Sequence, residues 1–152
     1  IEAGREGVAR MLYAPDLAEL TDPERHESFF RWVYLRQNCT LYVDETSAIS
    51  SATDWPFHMM GCLARGRERN IETWLATQRP SRVPAFIFSE SEHIYCFRLR
   101  MEYDADKVEA MTGISSEAAR ALPKRQFFYA PQEGEIVGPM TLDLAGASRK
   151  AA

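Results

Sequence analysis

Lysine is scarce in this chain, histidine is scattered and cysteine is odd in number. Only Lys107, Lys124 and Lys150 occur, and none follows a glycine. The glycine-rich loop whose backbone amides and terminal lysine cradle nucleotide phosphates needs that pair of residues, so it is not among these 152 residues. Cys39, Cys62 and Cys96 lie far apart without CxxC spacing, so neither a disulfide framework nor a zinc site is indicated, and a reducing compartment fits. His26, His58 and His93 are equally dispersed and are assigned to surface or half-buried places rather than to a metal. There is no apolar run of about 18 residues and no basic-then-apolar start, so no membrane span and no secretion signal is predicted.

What is present is enough for one core. With 152 residues, 45% of them hydrophobic, the chain predicts one domain over residues 1–144 and a frayed polar tail over 145–152. The formal net charge of -4 exerts no global pull on nucleic acid, yet 15 of the 18 basic residues are arginine. Five of these, Arg65, Arg67, Arg69, Arg79 and Arg82, fall within eighteen positions. The planar guanidinium fork suits phosphate, and it equally suits a solvated helix end.

The order of elements predicts an α/β fold. Val8 to Tyr13 is a short strand candidate. Thr21 or Asp22 caps a helix with Pro23 in its first turn, running to about Gln37, with Phe29, Phe30, Val33 and Tyr34 as its core stripe. A strand follows over Cys39–Val43, then a Ser/Thr-rich connection. A second helix opens near Asp54 and Pro56, places Phe57, Met60, Leu63 and Ala64 on one face, and breaks at Gly66 within a basic run. Ile71 to Thr77 is the next strand, and helix–strand–helix–strand spacing is that of parallel crossovers. Further on, His93–Leu99 alternates as a strand. Asp104 caps a helix to about Met111, Ser115 or Ser116 caps another to Leu122, and two strands (Gln126–Ala130 and Ile136–Leu142) flank a glycine-containing turn. Phe29, Phe30, Trp32, Trp74, Phe127 and Phe128 are assigned to core or subunit interface.

Two strings carry chemistry. LYVDE (Leu41 to Glu45) is an apolar strand ending in adjacent carboxylates, and WLATQRP (Trp74 to Pro80) is one ending in a glutamine and an arginine. Parallel strands buried on both faces read as continuous apolar runs, and ligands bind beyond their carboxyl ends, so both tips point at one crevice. That is the layout of a nucleotide-hydrolysis site. Asp44 is placed to hold a magnesium ion, directly or through water, while Glu45 faces the attacking water. Gln78 either senses the terminal phosphate and orients that water or satisfies a loop carbonyl. Arg65 and Arg67 either reach a neighbouring subunit as an arginine finger or neutralise a helix end.

LYVDE, then LARGRERNIETWLATQRPSRVP, then IYCFRLR resemble, in that order, the FtsK/HerA superfamily of P-loop DNA-translocating ATPases, and within it most closely the genome-packaging ATPases of phages. The resemblance spans about Val8 to Gly138. It implies a RecA-like core with a mainly parallel sheet flanked by helices, lacking its N-terminal P-loop part. It implies ATP and Mg2+ as cofactors, Asp44 as the magnesium-site acid, Glu45 as the water-activating acid, Gln78 as the polar sensor, and Arg67 or Arg65 as an arginine finger acting across a subunit interface. It further implies a pentameric or hexameric ring around double-stranded DNA, capsid portal or vertex proteins as partners, and residence in the host cytoplasm or with the virion. Arg79, Arg82, Arg98, Arg100 and Lys124 are available to DNA. The missing lysine loop is a departure from the pattern. With a start at Ile1 rather than methionine, it predicts that the chain is the C-terminal portion of a larger ATPase, inactive alone. Other DNA pumps, DNA-end-processing enzymes and virion-extrusion ATPases share the pattern. A non-catalytic assembly module with a degenerate nucleotide site is the reading from another class.

Overall fold

The Asp22 carboxylate accepts the backbone N–H groups of Glu24 and Arg25 and so starts α1, Pro23–Arg36, with Pro23 at the position that needs no donor. This computed structural model describes residues 11–16, 19, 22–51 and 53–143. Most of the first strand candidate, Thr21 as a cap and the tail 145–152 lie outside the described residues, and the described Met11–Tyr13 takes no strand. The described chain divides into two compact units, one built from residues up to Gln78 with 82–84, the other from 79–81 with the residues after 84.

In the first unit α1 leads to β1, Cys39–Val43, then α2, Phe57–Ala64, then β2, Ile71–Leu75. The strands pair in parallel, Leu41 opposite Thr73 and Val43 opposite Leu75. The two helices pack on each other and on the strands. Phe30, Val33, Leu41, Met59, Cys62 and Ile71 are buried there, the five larger apolar side chains each contributing about 1.5–3 kcal/mol by leaving water. Burial pushes the Cys62 thiol up to about 12, so it is an inert packing group. The start of α2 has no cap of its own. Glu27 of α1 accepts the His58 N–H instead, at 3.2 Å, putting a negative charge where the helix dipole favours it.

Three expectations change here. His26 is buried rather than half-exposed, with its Nδ1 3.4 Å from the Tyr13 hydroxyl. The core face of α2 is Met59 and Cys62, while Phe57 is exposed, because α1 covers the face one position away from the one the apolar run suggested. Among the described residues the parallel strands are covered on one face only. Tyr42 and Trp74, opposite each other in register, are 64% and 45% exposed, and Glu72 accepts from the Trp74 indole on that outer face at 2.8 Å. Trp74 is therefore not a core residue within this chain.

The second unit runs α3 (Ala85–Glu90), β3 (His93–Phe97), α4 (Glu102–Thr112), α5 (Ser116–Ala121), β4 (Gln126–Pro131) and β5 (Val137–Thr141). Its sheet is antiparallel in the order β3-β4-β5, so the class is α/β with one parallel pair and one antiparallel sheet. Cys96, Val108, Ile114, Ala119 and Ala130 form its core, with Phe88, Ile94, Leu99 and Phe128 packed against them. Ser115 caps α5 through the Ala118 N–H. Asp104 does not cap α4, where Met101 holds the cap position without a side-chain bond. Its carboxylate is instead 1% exposed and accepts the Ser81 hydroxyl at 2.6 Å, the Ser81 N–H at 3.1 Å and the Arg79 guanidinium at 3.4 Å.

Candidate functional site

Both strands of the first unit end at the same edge, and the main chain beyond them is stitched together. The Ala76 N–H donates to the Val43 carbonyl at 2.9 Å, and the Thr46 N–H and hydroxyl both donate to the Ala76 carbonyl, at 2.8 and 3.0 Å. Thr46 is thereby buried with its hydroxyl satisfied. Of the two residues between Val43 and Thr46, Glu45 takes a left-handed backbone at φ 51 and ψ 63, where it begins a short 3-10 turn over Thr46–Ala48. Such a conformation is uncommon outside glycine, asparagine and aspartate and is held only where surroundings impose it. Here it turns the Glu45 side chain back toward the tip of β2.

The Glu45 carboxylate meets a dense set of donors. Its Oε1 accepts the Ser47 hydroxyl and, at 2.9 Å, the Thr77 hydroxyl; the Gln78 backbone N–H lies 3.1 Å from Oε2 and 3.4 Å from Oε1. Partial burial alone would raise its pKa, but the Ser47, Thr77 and Gln78 hydrogen bonds outweigh that and hold it below the ordinary glutamate range. The group is therefore ionised at neutral pH and fixed in direction. A carboxylate offers about four acceptor positions. Oε1 is crowded, and Oε2 keeps capacity to accept one further proton donor such as a water.

Asp44 lies immediately past β1 and is exposed. Among the described residues no group of three or more His, Cys, Asp or Glu side chains is disposed to enclose a metal. A lone exposed carboxylate still suits magnesium, which keeps several waters and is commonly held by one or two carboxylates together with substrate phosphates. Gln78 adjoins Glu45 through its backbone N–H, and its residue is exposed.

The arginines stand elsewhere in the unit. Arg65 ends α2 and Arg67 begins a 3-10 turn that leads into β2, so both precede the strand whose far end carries Gln78. Five residues of β2 intervene, about 17 Å at strand rise. The chain does not bring either one to its own Glu45. Arg69 serves the fold, with its guanidinium 3.9 Å from the centroid of the Tyr34 ring and a bond to the Tyr34 carbonyl. Arg79, next after Gln78, already belongs to the second unit and bonds Tyr103 and Asp104 there.

Ser47 and Thr77, the hydroxyl donors that orient Glu45, are not among the site residues expected from sequence. Their signal was present: a serine two positions after the acid pair, and a threonine directly before the glutamine at the neighbouring strand tip.

No family model matches the chain, and no curated protein matches it. Solved structures do. The genome packaging NTPase B204 from Sulfolobus turreted icosahedral virus 2, in complex with AMPPCP, superposes at a TM-score of 0.60 with 19% identity, over 75% of this chain and 65% of that one. The same protein in complex with ATP-gammaS gives 0.62 and 18%, over 86% and 76%. B204, the DNA-packaging ATPase from Sulfolobus Turreted Icosahedral Virus, gives 0.63 and 17%, over 92% and 78%. Similarity at this identity is one of fold. The chain spans about two thirds to three quarters of the length of these structures.

Proposed function

We propose that this chain is the acid-bearing part of an ATPase that drives double-stranded DNA into a viral capsid. The carrying observation is the Glu45 carboxylate, fixed by Ser47, Thr77 and the Gln78 N–H at the carboxyl ends of two parallel strands, in a fold shared with packaging NTPases. Ligands in such sheets bind beyond those strand ends.

In this reading Glu45 orients the attacking water. Its lowered pKa makes it a poor proton store and a good fixed acceptor, so its contribution is alignment together with stabilisation of the positive charge that develops on the water. Asp44 faces solvent beside it and would hold magnesium, which supplies charge neutralisation at the β and γ phosphates. Gln78 contributes its backbone N–H to Glu45 and has its side chain left to meet the γ-phosphate. Arg65 and Arg67, about a strand length away, act on the site of an adjacent subunit, which requires a ring. The phosphate cradle is supplied by chain outside these 152 residues. The outer face of β1 and β2, with Tyr42 and Trp74 exposed, supports that reading, since parallel strands are ordinarily covered on both faces.

Titration of the complete gene product with a fluorescent ATP analogue tests the nucleotide assignment. Magnesium strengthens binding in the wild type, and Asp44→Asn abolishes that magnesium dependence. No binding at millimolar nucleotide makes the chain a non-catalytic assembly module instead. The same fold serves other DNA pumps; retention of turnover without DNA stimulation would favour a task other than translocation.

A further inference from the structure

The outer face of the antiparallel sheet carries a continuous run of rings. Strand alternation sends Ile94, Cys96, Phe128 and Ala130 into the second unit's core, which leaves His93, Tyr95 and Phe97 of β3 and Phe127 and Tyr129 of β4 on the other side. Tyr95 lies opposite Tyr129, and Phe97 opposite Phe127. Ring centroids are 5.8 Å apart for His93 and Tyr129, 5.2 Å for Tyr95 and Tyr129, 5.9 Å for Tyr95 and Phe127, and 5.3 Å for Phe97 and Phe127. Tyr95 and Phe97 are each 44% exposed, far more than a core aromatic. On β5, Val137 and Met140 stand opposite Tyr129 and Phe127 and continue the face.

The run has a charged end. Beside Phe97 opens a cleft of about 430 Å³ whose lining includes Arg98, Arg100, Lys124 and Arg125 and no acid. In a chain of net charge -4 this concentration is local, and it adjoins the rings at one end only. The opposite end, at His93, follows Glu92, and the turn between β4 and β5 carries Glu133 and Glu135.

We propose that this face binds nucleic acid having unpaired bases. Bases stack on Phe97 and Tyr95, and the phosphates on their 5′ or 3′ side enter the cationic cleft. Tyr95 stacks on Tyr129 at 28° and Phe97 tilts against Phe127 at 38°, and the exposed parts of Tyr95 and Phe97 on an open antiparallel sheet suit about two or three bases. A groove of cations beside stacking rings is the combination that single strands require. Duplex DNA keeps its bases stacked on one another and cannot use the rings, so it meets only the cations. An uncharged apolar partner could use the rings but has no charge to offer the four adjoining cations. The surface is thus separate from the Glu45 site in residues, in ligand chemistry and in the unit that carries it.

Fluorescence anisotropy with a short labelled oligothymidine and a blunt hairpin duplex, without any nucleoside triphosphate, tests the surface independently of the ATPase reading. The wild type binds the oligothymidine more tightly than the duplex, with affinity falling as salt rises. Phe97→Leu, which keeps an apolar strand residue but no ring, weakens oligothymidine binding by about tenfold, and Phe97→Tyr restores it. Arg100→Glu with Lys124→Glu weakens both probes. Equal binding of duplex and oligothymidine, unaffected by Phe97→Leu, overturns the proposal, and so does absence of oligothymidine binding. Sedimentation showing that Phe97→Leu breaks a homo-oligomer, with oligothymidine affinity unchanged, also overturns it and assigns the face to a second copy.

Discussion

Replacing Gly66 by alanine should cost this protein far more than replacing Gly61, the other described glycine of its first unit. Gly66 sits in the right-handed helical region at φ -58, so conformational freedom is not why glycine is needed. Space is. A methyl group built there lies 2.1 Å from the Cys62 carbonyl oxygen, 2.7 Å from the Ile71 carbonyl oxygen and 3.3 Å from the Cys62 carbonyl carbon. All three are backbone atoms, of α2 and of β2, and no rotamer change relieves them. Relief requires the turn to move by about 1 Å, an overpacking strain of roughly 1–3 kcal/mol. Movement also stretches the bonds by which the Gly66 carbonyl accepts the Ile71 N–H at 2.8 Å and the Arg69 N–H at 3.0 Å, each worth about 1 kcal/mol. The sum is about 3–5 kcal/mol, a large share of the ~5–15 kcal/mol typical of a domain. Gly61→Ala is the control, because its methyl meets the Tyr34 ring at 3.1 Å, which can yield, and alanine favours the helix by up to about 1 kcal/mol. In urea denaturation followed by circular dichroism, Gly66→Ala shifts the midpoint down by more than about 1 M, and Gly61→Ala shifts it little. Equal midpoints for Gly66→Ala and the wild type would refute the packing described for this turn.

Two further outcomes follow from the polar groups. Because Glu45 is held below the ordinary glutamate range, folding favours its ionised form. That contribution is fully present above the unfolded value of about 4.3 and is lost as pH falls through the lower folded value. The stability difference between wild type and Glu45→Gln is therefore largest near neutrality and shrinks in acid, as urea midpoints measured across pH will show; a difference independent of pH would contradict the clamp. Asp104→Ala strands the Ser81 N–H and hydroxyl and takes one acceptor from the Arg79 guanidinium, which keeps the Tyr103 hydroxyl, costing about 2–3 kcal/mol, whereas Asp104→Asn keeps an acceptor and costs less. Thermal unfolding of the two variants separates these values, and equal losses would mean that Ser81 is not the partner that matters.

The elements that were legible in the sequence are those with local signals. Asp22 before Pro23 marks a helix start, and LYVDE and WLATQRP mark strand ends by abrupt passage from apolar to polar residues. The hairpin around Gly134 is announced by two apolar runs with a turn between them. What was not legible depends on which face a neighbour covers. Alternation in HIYCF identifies a strand, but nothing local says that Ile94 and Cys96 go inward while Tyr95 and Phe97 stay outside. The same applies to α2, where a helix apolar on most sides gave Phe57 rather than Met59 to the core. Ala85–Glu90 was missed because six residues show too little period to separate helix from strand. Asp104 read as a helix cap because an acid near a helix start usually is one; its partner Ser81 lies 23 residues earlier. In the candidate site, Asp44, Glu45 and Gln78 stood out by type and place, while the left-handed turn that swings Glu45 onto Thr77 and Gln78 leaves no mark in a sequence.

The role proposed for Glu45, aligning water for hydrolysis, is tested most directly by ATP turnover of Glu45→Gln in the complete gene product, measured beside nucleotide affinity. Turnover should fall by about 100- to 1,000-fold, the scale for losing one preorganised electrostatic contact, while magnesium-dependent nucleotide binding is kept. Wild-type turnover in that variant would contradict the role assigned to the clamped carboxylate.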